Sequence, residues 1–135
     1  MHWLKVVNAT RDPLRDEWLA DASHGLLERV RFPRNKRPTG VARGDRLVYY
    51  SADRRRFFAV VEVISREPYE DRAQERWPYV LDVRPRLLLP RLDTAPALEA
   101  LDLPRGLLSV RRQSHIRLDA DQYTKALAAL VAAAA

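Results

Sequence analysis

"GDRLVYYSADRRRFFAVVEV", residues 44–63, is the stretch whose reading decides the fold. Two runs rich in β-branched and aromatic residues, "DRLVYYSA" and "RFFAVVEVIS", flank Asp53, Arg54 and Arg55, and this arrangement predicts a β-hairpin. Successive strand side chains face opposite sides, so Tyr49 and Tyr50 cannot share a face. Alternation with Leu47 assigns Tyr49 to the core and Tyr50 to the open side. The triplet Arg54, Arg55 and Arg56 reads either as a solvated tip or as a phosphate contact.

Upstream of the hairpin, "HWLKVVN" (2–8) reads as a first strand, and "DPLRDEWLADA" as a short helix with Asp12 at its N-cap, Pro13 at its first turn and Trp18 packed beneath it. Residues 24–44 hold two prolines, three glycines and many charges, and read as loop with one helical turn at 26–30. Downstream, "REPYEDRAQERW" is a polar excursion. "PYVLDVRPRLLL" (78–89) reads as a strand whose Pro85 implies an edge or a bulge. A short helix is expected over "TAPALEALDL" with Leu98 and Leu101 inward, then an extended "LLSVRRQSHIRLD". The closing helix has Asp119 at its N-cap, Gln122 at the capping-box position, and a terminal alanine run that frays. Five or six short strands with helices at both ends and in the middle imply a single α+β domain built on a strongly twisted sheet or small barrel.

At 135 residues the chain suffices for one domain with a real core. No apolar run reaches the length of a membrane span and the first residues lack a signal-peptide pattern, so a cytoplasmic location is expected. With no cysteine, disulfides and thiolate nucleophiles are excluded, and His2, His24 and His115 are too scattered for a metal site; no metal or other cofactor is expected.

The net charge of +6 is segregated. Residues 31–56 hold nine Arg or Lys against two Asp, and residues 105–117 hold four Arg against no acid, which sums to +11 and leaves −5 elsewhere. A polyanion-binding face requires such clustering, because each phosphate contact releases counterions. Compositional drift toward Arg, which supplies 21 of the 24 cations, raises total charge without gathering it.

Several phrases in order, "HWL", "VARGDRLVYYS", "FAVVEVISREPYED", "WPYVLDVRP" and "LLSVRRQSHIRLDADQY", resemble the EVE domain, in its short prokaryotic branch, of the PUA-like superfamily that includes the YTH and ASCH domains. The resemblance spans roughly residues 2–131. It implies a small PUA-like β-barrel with flanking helices and a pocket for a base flipped out of nucleic acid, with methylated or hydroxymethylated cytosine in DNA first and methyladenine second. Extrusion costs a few kcal/mol, which stacking and hydrogen bonds to the base edge recover. The resemblance implies a base pocket of Trp3, Asn8, Asn35, Tyr50, Ser51 and Ser109. Its backbone contacts would be Arg34, Lys36, Arg37, Arg54, Arg55, Arg111, Arg112 and Gln113. Ser51 stands where the family has a histidine, and the longer branch's tryptophan-bearing phrase is missing around Gly25. The implied protein is a non-catalytic reader, with a separate nuclease of a defence system as a further partner.

Each aromatic also has a plainer reading. Trp3 serves as core as readily as platform, Trp77 before Pro78 anchors a strand, and His24 and His115 read as surface or supporting residues. A competing function is an ASCH-like hydrolase of a modified nucleoside, for which Lys36 with Thr39, or Glu62, would have to serve. Glu62 between Val61 and Val63 equally reads as an outward strand residue. A third reading is a small-ligand or protein-interaction barrel.

Overall fold

A computed structural model of the chain describes residues 1–7, 14–21, 25–73, 75–101, 103 and 114–135. Among the described residues, seven strands form one sheet: β1 (His2–Val6), β2 (Arg29–Phe32), β3 (Arg46–Ser51), β4 (Arg56–Val63), β5 (Tyr69–Glu70), β6 (Tyr79–Leu88) and β7 (His115–Leu118). One helix, α1 (Ala120–Ala134), follows β7, and short 3-10 turns occupy Trp18–Ala20 and Leu98–Leu101.

The central hairpin forms as its composition predicts. β3 and β4 pair antiparallel, and nearly every residue of both strands is buried. Gly44, at φ 92°, makes the turn into β3, a backbone shape that costs glycine nothing because it has no Cβ. β1 lies parallel to β3 on one side, and the intervening chain is the long crossover a parallel pair demands. β7 pairs antiparallel with β1. On the other side β6 joins β4 through its second half and β2 and β5 through its first. The register slips by one residue where Val61 meets Pro85, so the proline sits at a bulge, where its missing N–H breaks no ladder bond.

The strand order is β2-β6-β4-β3-β1-β7. The sheet curls into a half-barrel that brings its terminal strands near one another: the Phe32 ring on β2 meets the His115 ring on β7 edge-on, with centroids 5.0 Å apart. Among the described residues no ladder joins β2 to β7. The curl therefore leaves a seam, bounded by two edges.

The outer face is covered by α1. Asp119 accepts from the Gln122 N–H while the Gln122 side chain accepts from the Asp119 N–H, the reciprocal cap that fixes the helix start. The His2 ring stacks on Tyr123 at 3.8 Å, which places α1 on the side of the sheet that carries His2, Leu4 and Val48. Leu130 and Ala126 are buried there, whereas Val131 is exposed.

Several sequence expectations change. The described part of 12–22 holds only the 3-10 turn at Trp18–Ala20 and no α-helix. Trp18 is nonetheless fully buried, its indole N–H donating to the Leu89 carbonyl at 2.7 Å and its ring edge-on to Phe58. Asp12 and Pro13 lie outside the described residues. The loop expected over 24–44 contains β2, and the polar excursion contains β5. The helix expected over 94–103 is a 3-10 turn, with Leu98 and Leu101 inward as read. The alanine tail continues α1 to Ala134.

Candidate functional site

Strand alternation and register place the side chains of Trp3, Lys5, Leu47, Tyr49 and His115 on the concave face, since Trp3 pairs with Leu47, Lys5 with Tyr49, and His115 with Lys5. A lysine at an inward position of a half-barrel is unusual, because burying an ammonium without a counter-charge is costly. Lys5 is 1% exposed. Its Nζ donates to the Val6 carbonyl at 2.6 Å and to Ser114 Oγ at 3.1 Å, and lies 4.6 Å from the Phe32 ring centre and 5.9 Å from that of Trp77. Among the described residues no carboxylate pairs with it. Burial pushes its pKa down to about 7.

Around this amine stand four rings. Phe32 is fully buried, whereas Trp3, Trp77 and His115 are partly exposed, so the cluster reaches solvent along the seam. His115 lies against both Phe32 and Trp3, its ring centre 5.4 Å from that of Trp3. Burial first, then the charges of Lys5 and Lys36, lower the His115 pKa to about 4, so the imidazole is neutral at physiological pH. Its Nδ1 is buried and has no hydrogen-bond partner among the described residues.

Trp3 is held rigidly. Its indole N–H donates to Asp45 Oδ2 at 3.0 Å, and Asp45 also accepts from the Ala42 N–H at 2.9 Å and from the terminal ammonium at 3.0 Å. Burial would raise the Asp45 pKa, but these bonds outweigh it and hold the carboxyl below the usual range. On its other edge Trp3 abuts Gly40, where a Cβ would meet Cη2 at 3.3 Å.

A cationic loop flanks the cluster. Arg34, Asn35, Lys36 and Arg37 are all exposed. The loop is clipped to the segment bearing Trp77, because the Arg34 backbone N–H donates to the Arg76 carbonyl and its Nε to that of Glu75. Arg37 places its guanidinium 5.4 Å from the Tyr79 ring centre.

The structure thus brings together Trp3 and the loop of Arg34, Asn35, Lys36 and Arg37. Tyr50 and Ser51 are placed elsewhere. Tyr50 is buried on the face opposite Tyr49, so it is not the open member of the pair. Ser51, fully buried, ends β3 at the hairpin turn. Arg54 pairs with Asp16, and the turn is tied to residues 96–98 through the Phe57 N–H to Pro96 and the Leu98 N–H to Arg55. The tip with Arg54 and Arg55 lies at the Arg56 end of β4, and Tyr79 and Trp77 lie beyond its Val63 end. Asn8, His24, Ser109, Arg111, Arg112 and Gln113 lie outside the described residues.

Sequence reasoning passed over Lys5, Phe32 and Ser114. A signal for Lys5 was present: in "HWLKVVN" it shares Trp3's parity, an inward charge in an apolar strand. Of the hydrolase candidates, Glu62 lies apart from the other two. Lys36 and Thr39 are exposed on the loop, while Glu62 faces the outer side and accepts from Arg84 at 2.6 Å and Arg46 at 3.1 Å. No group of three metal-ligating side chains occurs among the described residues, and none of the described helices is long and apolar enough to cross a membrane.

Fold and site together define a small α+β half-barrel with an aromatic-lined seam and a cationic loop beside it. Solved structures share this fold. Rpa0253 from Rhodopseudomonas palustris is 21% identical over 91% of this chain and 88% of that one, with a TM-score of 0.60. A hypothetical protein from Leishmania major is 18% identical over 94% and 92%, TM-score 0.60. The DUF55 domain of human thymocyte nuclear protein 1 is 13% identical over 95% and 97%, TM-score 0.58. At such identities the likeness is one of fold: the chain has the small α+β fold of a DUF55-like domain. The sequence matches no family model and no curated protein.

Proposed function

We propose that the protein is a non-catalytic nucleic-acid reader that takes a flipped-out modified base into the seam. The observation that carries this reading is the convergence of Trp3, Phe32, Trp77 and His115 around one buried polar group, with the exposed cations of residues 34–37 alongside. Aromatic faces stack on any base, and a buried donor selects among base edges, which is the division of labour that base extrusion needs. Arg34, Lys36 and Arg37 would hold phosphates and set the salt dependence, while Trp3 and the interior groups would read the base. The EVE-like sequence phrases favour cytosine modified at ring carbon 5, in DNA, and a separate nuclease as the effector that such a reader would direct.

Fluorescence anisotropy on matched oligonucleotides carrying cytosine, methylcytosine, hydroxymethylcytosine, adenine or methyladenine, single- and double-stranded, at two salt concentrations, tests the reading. A preference for a modified base that Trp3→Ala abolishes while the salt slope persists is the expected result. Lys36→Ala should weaken all sequences alike and flatten that slope by about one unit. Equal affinity for modified and unmodified strands would refute base reading.

A further inference from the structure

A reader of neutral bases needs a buried donor, but it does not need that donor to be the ammonium of Lys5. A methyl or hydroxymethyl group is satisfied by apolar walls and neutral hydrogen bonds, and an ammonium brings a desolvation cost with no return. The two acceptors that Nζ already has, Val6 O and Ser114 Oγ, are both neutral. They orient the amine; they do not balance its charge. Across the strand, at the position paired with Lys5, His115 Nδ1 is a buried polar atom without a hydrogen-bond partner among the described residues. Rings on several sides, a cation without a counter-ion among the described residues and an imidazole nitrogen likewise unpaired among them form a site whose missing component is flat and negatively charged.

We infer that the seam takes a planar ring bearing an anionic group, a carboxylated pyrimidine rather than a neutral methylated one, with Lys5 as the specificity-determining residue. This rests on the base-reading proposal and narrows the modification it concerns. The carboxylate would supply the counter-charge for Nζ, and the ring would lie among Trp3, Phe32 and Trp77. With the amine's pKa lowered to about 7, Lys5 is largely neutral at pH 8, and binding an anion there draws a proton from solvent onto Nζ. The other groups facing the amine stay silent at that pH. His115, its pKa lowered to about 4, remains neutral.

The test uses the 135-residue chain with oligonucleotides whose central base is cytosine, 5-methylcytosine, 5-hydroxymethylcytosine or 5-carboxylcytosine, and with free orotate as a ring carboxylate lacking any backbone. Titration calorimetry at pH 8 in buffers of different ionisation heat counts protons taken up. The expected result is that the carboxyl base binds about tenfold or more tightly than the methyl base, the gain of one charge-assisted hydrogen bond. Uptake of a proton should accompany it, and Lys5→Met should remove both the preference and the uptake. Ser114→Ala, a milder change, should reduce the preference and guards against a Lys5 variant that does not fold. Equal affinity for methyl and carboxyl bases, or binding of the carboxyl base without proton uptake, overturns the inference and leaves base reading intact. Orotate binding with proton uptake, but no oligonucleotide binding, would overturn base reading and uphold the charge assignment. Absence of binding to every probe refutes both.

Discussion

Asp45 and Lys5 are both buried, both charged in isolation, and attached to neighbouring strands, yet their surroundings are opposite in kind. Asp45 accepts from the Ala42 N–H, the Trp3 indole and the terminal ammonium, so its lone pairs are used and its charge is compensated. Lys5 has two neutral acceptors and aromatic faces, and burial lowers its pKa instead of a partner raising it. The first is a closed network whose work is to fix the rotamer of Trp3 and the turn at residues 42–45. The second is an open one. Closed polar networks stabilise, and partly satisfied ones cost stability. The contrast marks where structure ends and binding begins in this half-barrel.

The largest expected effect falls on the closed network. Asp45→Ala strands the Trp3 and Ala42 N–H groups and should cost about 3 kcal/mol or more of stability, read from urea denaturation. Lys5→Met should act in the opposite sense, raising stability at pH 7 by on the order of 2 kcal/mol, because it replaces a buried amine that has no carboxylate partner among the described residues by an apolar chain of similar length. A loss of stability in Lys5→Met would mean that the amine is better paired than its neighbours indicate, and the contrast would fail.

Acid and base titration sharpens the same comparison. The Lys5 pKa falls from 10.5 unfolded to about 7 folded, so the unfolded chain binds more protons between those values, and stability should decline as pH falls from 10.5 to 7. For His115 the corresponding window runs from 6.5 down to about 4. Asp45, whose carboxyl is lowered, contributes stability above the unfolded carboxylate range that is lost as pH falls through its folded value. Melting temperature against pH should therefore decline in separate steps. Lys5→Met should erase the alkaline step and His115→Gln the one below pH 6.5, each leaving the other in place.

How much of this was legible in the sequence depended on whether the signal was local. The β3–β4 hairpin and the Asp119–Gln122 capping box rest on residue types a few positions apart, and both form as read. β2 was missed although "RVRF" alternates charged and apolar residues as a half-buried strand does, because the run is only four residues long, abuts Pro33 and lies in a stretch dense in charge, proline and glycine; pairing with β6 makes it a strand. Trp18 was rightly read as packing, but its burial is met by a 3-10 turn and a bond to Leu89, a partner 71 residues away. The tyrosine pair shows the limit of periodicity. Alternation correctly separates Tyr49 from Tyr50, yet it cannot distinguish a face open to solvent from one buried in the fold. The seam itself exists only because the two ends of the sheet, β2 and β7, meet after the curl.

The finest test of the division between fold and site is Gly40→Ala. Gly40 does not adopt a left-handed backbone, so an alanine there meets no conformational penalty, and the added Cβ would press on Trp3 Cη2 at 3.3 Å. Because Asp45 clamps the indole nitrogen on the far side, the ring can yield only by tilting about that bond, by a few tenths of an ångström. The stability cost should therefore be small, under about 1 kcal/mol. Affinity for the modified oligonucleotide should drop severalfold, since a stacking platform is sensitive to tilt where a core side chain is not. If Gly40→Ala instead lowers stability and leaves binding unchanged, Trp3 belongs with Asp45 to the closed network alone, and the platform must be sought among Phe32, Trp77 and His115.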